Sequence, residues 1–263
     1  MRSMAASVLL AGLSLAVPYW SAASDQPKGP QRVERSADQK DDSSAAQPAH
    51  ADAQAKASTR TVSVPLYTPP LRGAPEGRLR GGSRGTGRDP LVLTVLAPDH
   101  RGLTVHEQPS LYWFVSSGTS LPVELTLTDP RAAQPVLETS IPGPVEPGMH
   151  RIRLADYGVR LAVGVVYRWY VAVVPDESRR SRDILAGGTI ERVESGEELP
   201  AKLAQAGEGD VPFLYAEAGL WYDALAAISD LIEAAPHDPA LRRQRASLLA
   251  QVGLGEISNY LLL

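Results

Sequence analysis

Cysteine is absent from this 263-residue chain. The absence removes disulfide staples, a thiol nucleophile, a lipid-modified cysteine and every metal site built on thiolates. The fold must therefore be held by its core alone. No Gly-Lys-Ser/Thr sequence closes a glycine-rich loop, so a phosphate loop of the nucleotide-binding kind is excluded. The five histidines, His50, His100, His106, His150 and His237, make no pair at a spacing of two or four, so no metal ligand set is legible and no metal or cofactor is expected. Beyond residue 23 no apolar run is long enough to span a bilayer, which argues against a stable membrane span in the mature chain.

One apolar run does stand out, at residues 8–17, with Arg2 before it and Pro18 and Ser21-Ala22-Ala23 after it. A positive start, a short greasy core and small residues at a cleavage site are the order of a secretory signal peptide. Residues 1–23 are read as that leader, with an uncleaved anchor as the alternative, and the mature protein is expected in the periplasm or outside the cell. Residues 24–62 follow as a linker with Val33 as its main large apolar side chain before position 62. Such a segment buries too little to offset its ordering entropy and is expected to be disordered.

From residue 62 the pattern changes. Runs at residues 91–96, 111–115, 123–127, 136–141, 150–154, 165–174 and 184–193 are β-prone and separated by Pro, Gly, Asp and Ser about every ten residues. Val123-Glu-Leu-Thr-Leu127 alternates cleanly, as a strand with one wet face does. No helical period appears in this part. Leu161, Gly164, Tyr167 and Trp169 resemble the turn into a late strand of fibronectin-like sandwiches, where a Tyr hydroxyl bonds back to the backbone. After residue 194 the chain becomes Ala- and Leu-rich, with helices expected over 197–206, 210–218, 221–235 and 238–252. Gly219, Trp221, Ala224, Ile228 and Pro236 sit where a tetratricopeptide repeat carries its signature residues, though fewer than two units are present. The fold expected is α+β and mainly β: an immunoglobulin- or fibronectin-like antiparallel sandwich over 63–194, with a tetratricopeptide-like helical segment over 195–263 packed on it.

Residues 70–85 are the most unusual stretch. Arg72, Arg78, Arg80 and Arg84 are interleaved with Gly81, Gly82 and other glycines, and residues 71–88 hold five arginines against one acid. From residue 176 onward fifteen acids face eight basic residues. The four arginines are candidate anion- or partner-binding residues. The competing reading pairs them with acids of the helical end, Glu217, Asp223 and Asp230 foremost, while Gly81, Gly82, Gly164 and Gly219 serve turns. Gly81-Gly82-Ser83-Arg84-Gly85 also fits the Gly-x-Ser-x-Gly pattern, but a hydrolase elbow needs a buried strand before the serine and a helix after it. Neither is expected, so Ser83 is a weak nucleophile candidate and no enzymatic activity is anticipated. One Arg-Gly-Gly box in an exported protein gives no case for nucleic acid. Trp113, Trp169 and Trp221 lie in apolar strands and a helix and are expected in the core; exposed rings would instead suit sugar stacking.

Four segments in order carry a family resemblance: Arg72-Gly73-Ala74-Pro75 with Gly77-Arg78 and Gly81 to Gly85; Pro109-Ser110-Leu111-Tyr112-Trp113-Phe114; Tyr167 with Trp169; and Gly219-Leu220-Trp221-Tyr222-Asp223-Ala224-Leu225. The chain resembles the bacterial domain of unknown function 928 family over residues 70–254. The resemblance implies an exported domain without catalytic residues to carry over. The function expected is a binding or scaffold domain for a protein partner in the cell envelope, with a carbohydrate- or anionic-glycan-binding module as the alternative.

Overall fold

Runs of alternating or continuous apolar residues bounded by turn formers become strands, and the Ala- and Leu-rich end becomes helices. A computed structural model describes residues 63–70, 78–79, 81–82 and 91–262. The leader and the linker assigned from sequence, residues 1–62, lie outside the described residues. The strands are β1 (Gly81–Gly82), β2 (Val92–Val95), β3 (Gly102–Thr104), β4 (Ser110–Val115), β5 (Val123–Thr128), β6 (Leu137–Ile141), β7 (Gly148–Arg153), β8 (Val166–Val173) and β9 (Ile184–Arg192). The helices are α1 (Glu198–Gln205), α2 (Val211–Glu217), α3 (Trp221–Ala234), α4 (Pro239–Gln251) and α5 (Gly255–Tyr260).

The protein is α+β. One sheet runs β1-β2-β4-β7 and the other β3-β9-β8-β5-β6, around a shared core. The inner face of β5 buries Val123, Leu125 and Leu127 while Glu124, Thr126 and Thr128 stay partly exposed. In β4 all six residues are buried, because the helices cover the face that the core leaves free. Phe114 there meets the Tyr260 ring edge-on at 4.9 Å. Among the described residues no helix is long and apolar enough to cross a membrane.

Several details differ from the sequence expectation. The sheets are not wholly antiparallel: β3 pairs with β9 in parallel. Three residues starting at a glycine give no periodic signal, so β3 is found only because β9 offers it an edge. A 3-10 turn at Leu154–Tyr157 interrupts a region expected to be free of helical turns, and α5 adds a helix to the four foreseen. Residues 63–70 fall in the β part by sequence, yet they lie along the helices. Thr68 N–H donates to the Ala216 carbonyl at 3.0 Å, Tyr67 N–H to Gln251 Oε1 at 2.8 Å, and Gln244 Nε2 to the Ser63 carbonyl at 3.0 Å. Gly219 makes this approach possible. Its φ is 73°, and a Cβ there would stand 2.7 Å from the Thr68 carbonyl oxygen. The expected hydroxyl contact is present: Ala162 N–H donates to the Tyr167 hydroxyl at 3.1 Å, beside the turn at Gly164.

The helical layer is fastened to both sheets by three consecutive residues at the start of α3. Trp221 Nε1 donates to the Leu96 carbonyl at 2.8 Å, just past β2. The Tyr222 hydroxyl donates to the Thr189 carbonyl of β9 at 2.8 Å and accepts from Trp169 Nε1 of β8 at 2.9 Å. Asp223 accepts from the Thr104 hydroxyl at 2.5 Å and from Val105 N–H at 2.8 Å, at the end of β3. All three side chains are buried, so each polar atom needs the partner it has.

Burial pushes the Asp223 carboxyl up to about 6, against the pull of His106 and of its two hydrogen bonds. Its folded value lies above the ordinary 3.8, so the stability it contributes is fully present below that ordinary value and is lost as pH rises through the folded one. In Asp223→Asn the amide can still bond Thr104 and Val105 but cannot titrate. Urea unfolding of both proteins across this window should show wild type losing roughly 3 kcal/mol relative to the variant. Parallel pH profiles would refute a titrating Asp223.

Candidate functional site

The glycine- and arginine-rich segment contributes Arg78 to the interior. Its guanidinium side chain is fully buried. It donates to the Ala97 carbonyl at 2.7 Å, to the Val252 carbonyl at 3.3 Å and to the Gly253 carbonyl at 3.4 Å, and lies 3.2 Å from Asp99 Oδ1. Val252 and Gly253 close the C-terminal end of α4, where the carbonyls point outward and the helix dipole is negative. Arg78 therefore clamps the chain after β2 to the end of α4. Leu79 exchanges backbone hydrogen bonds with Gly187 of β9, and Gly81 pairs with Leu93 of β2. A Cβ on Gly81 would meet the Leu185 carbonyl oxygen at 2.8 Å, so glycine is what lets β1 pass there. Gly82 continues the pairing opposite Val92. Arg72, Arg80, Ser83 and Arg84 lie outside the described residues.

For Arg78, which alone of the four arginines is described, the expected pairing with acids of the helical end is not what the structure shows. Asp223 is bonded to Thr104 and Val105. Asp230 pairs with Arg151 of β7 at 2.5 Å. Glu217 lies on the rim of a groove described below. Backbone carbonyls and Asp99 hold Arg78 instead. Backbone acceptors carry no residue identity, so nothing in the sequence could have marked Ala97, Val252 or Gly253 as its partners.

The tryptophans expected in the core are there: Trp113, Trp169 and Trp221 are each 1% exposed or less. None offers a ring face to solvent, so these three cannot form the stacking platform that a sugar site would need. Among the described residues, no group of three or more His, Asp or Glu is placed to hold a metal ion.

Sequence reasoning missed a groove of about 390 Å3 between β3, the chain after β9, α1 and α2. Leu103, Val105, Leu199 and Leu214 give it an apolar floor. Glu194, Glu197, Glu198 and Glu217 stand around it with Lys202 as the lining cation, and that lysine lies 3.4 Å from Glu198. Four carboxylates against one ammonium make a negative rim above a surface suited to aliphatic groups. Glu197-Glu198 is visible in the sequence as an acidic pair, but Glu217 is brought to it only by the packing of α2 on α1.

A family model described as Domain of Unknown Function (DUF928) matches residues 79–262. No curated protein matches the chain.

Arg78 sets a further expectation. Removing its charge weakens the donors to the Ala97 carbonyl after β2 and to the Val252 carbonyl at the end of α4, so Arg78→Gln should lower unfolding stability by about 2–3 kcal/mol. A variant as stable as wild type in urea titration would show that the clamp bears no load.

Proposed function

We propose that this chain, which belongs to the DUF928 family, is a non-catalytic binding module that docks a protein partner in the cell envelope. The observation that carries the reading is the acidic groove over an apolar floor beside β3. Arginine and lysine fit such a surface with both halves of the side chain: the stem covers Leu and Val, and the head meets the carboxylates. The partner segment is therefore basic and interleaved with aliphatic residues. Asp223 supports a structural use of the neighbouring buried acid, since both of its oxygens are engaged in holding β3. The hydroxyl contact of Tyr167 and the strand count support the likeness to fibronectin-like sandwiches, and the Gly219-Leu220-Trp221 turn supports a single tetratricopeptide-like hairpin. In this reading the hairpin braces the groove rather than building a solenoid.

The proposal also places the protein outside the cytoplasm, with residues 1–23 as a cleaved leader and 24–62 as a tether. Mass measurement of protein made in a bacterial host should find a start near Ser24; a start at Met1 in the membrane fraction would overturn the cleaved leader. The groove is tested separately with a labelled peptide alternating Arg and Leu, and its Glu-for-Arg counterpart as control. The basic peptide should bind, more weakly as salt rises. Changing Glu194, Glu197 and Glu217 to Gln should weaken it about tenfold, the loss of a few solvent-screened charge contacts. Equal binding by the triple variant, or equal binding of the acidic control, would refute the groove.

A further inference from the structure

A second cavity, of about 280 Å3, lies between α3, α4 and the sheet face of β4 and β7. Its polar lining is arranged by the folding pattern. Tyr112 of β4 and Arg151 of β7 are direct cross-strand partners and so project to one face. The Arg151 guanidinium sits 5.5 Å from the centre of the Tyr112 ring. Ser229 and Glu233, one turn apart on α3, come in from the side, and Arg245 of α4 closes the wall.

Three of these groups lack what their burial demands. Tyr112 is 2% exposed and Ser229 is 3% exposed. Their hydroxyls face each other closely enough for Ser229 to act on Tyr112, but neither oxygen has a well-formed hydrogen bond among the described residues, and one such contact would still leave a donor between them unused. Arg245 is partly buried, and among the described residues no carboxylate lies within ion-pairing distance of it. Loss of water lowers its pKa from the ordinary value, which records the same deficit. Charges nearby are already matched: Arg151 is held by Asp230 at 2.5 Å and by Glu233 at 3.4 Å, and Arg153 lies 3.8 Å from Glu233. Buried polar groups are satisfied in folded proteins as a rule, so two donor-capable hydroxyls and a guanidinium without a counter-ion around one space point to a missing acceptor with negative charge.

We propose that this cavity binds a small carboxylate, with Arg245 as its counter-ion and the Tyr112 and Ser229 hydroxyls donating to its oxygens. The wall beyond them is apolar, formed by Met149, Ile232 and Leu261, so the acid carries a short aliphatic body. A monoanion fits better than phosphate. One guanidinium is uncompensated, and the Glu233 carboxylate on the same lining repels a second negative charge.

The test uses the full chain and sodium acetate, propionate and isobutyrate as probes, with sodium chloride and sodium phosphate at equal ionic strength as controls. The carboxylates should raise the melting temperature with dose, and propionate or isobutyrate should exceed acetate. Tyr112→Phe and Ser229→Ala each remove a hydroxyl without a well-formed hydrogen bond, so the unliganded variants should melt within about a degree of wild type, the scale of a weak contact. Each should bind the same carboxylates about tenfold more weakly, as expected for losing one hydrogen bond to a charged group. Arg245→Gln should abolish the response. No carboxylate response in wild type would overturn the proposal. So would a response that persists in the Tyr112→Phe, Ser229→Ala double variant. A phosphate response larger than that of propionate would refute the carboxylate assignment.

Discussion

Three side chains in a row, Trp221, Tyr222 and Asp223, tie the helical layer to the sheets. On a helix, consecutive residues point about 100° apart, so three of them can reach three different directions only if protein surrounds that turn on most sides. That is the situation at the start of α3, with Leu96 beyond β2, Thr189 of β9 and Thr104 of β3 as the respective acceptors or donors. Each contact is polar and buried, which makes it directional and costly to leave unmade. Apolar packing alone would let the helices slide on the sheets. These bonds set the register, and with it the groove beside α1 and α2 and the cavity between α3, α4 and the sheet.

Arginine is used in three distinct ways around this frame. Arg78 is buried against carbonyl groups and closes the end of α4. Arg151 sits between Ser110 and two acids, and its ion pairs join β7 to α3. Arg245 is partly buried with neither kind of partner among the described residues. A guanidinium has five donors in a fixed plane, so its surroundings reveal what it is for. The first two are held by acceptors on separate segments and are structural. The third, facing two hydroxyls without a well-formed hydrogen bond, has the makings of a ligand site.

The two recesses differ in the same physical terms. The groove beside α1 is negative over an aliphatic floor, and its carboxylates reach into solvent. Charges there attract and orient a partner while contributing modest energy each. The cavity beside α4 is smaller, and its polar atoms are sheltered by β4 and the helices. There a single matched charge counts for more because less water competes. A partner segment suits the first and a small anion the second.

Much of this was legible in order along the chain. Period-two runs such as Val123 to Leu127 determined strands, and the change in composition after residue 194 determined helices, because local burial patterns follow backbone geometry. Tyr167 and Gly164 carried a turn whose contact spans only a few residues, so sequence distance was no obstacle. Asp238, directly before the Pro239 that begins α4, accepts from Ala240 N–H, a cap made within two residues of chain. What the sequence could not determine is everything made between segments far apart in the chain. Charge balance suggested that the arginines near residue 78 meet the acids of the helical end, but Arg78 meets carbonyls, which every residue has. The short β3 exists because β9 offers an edge. Glu217 joins Glu197, and Arg245 joins Tyr112, only once helices pack on sheets. Local propensity is written residue by residue, while a site is a set of distances that tertiary packing alone supplies.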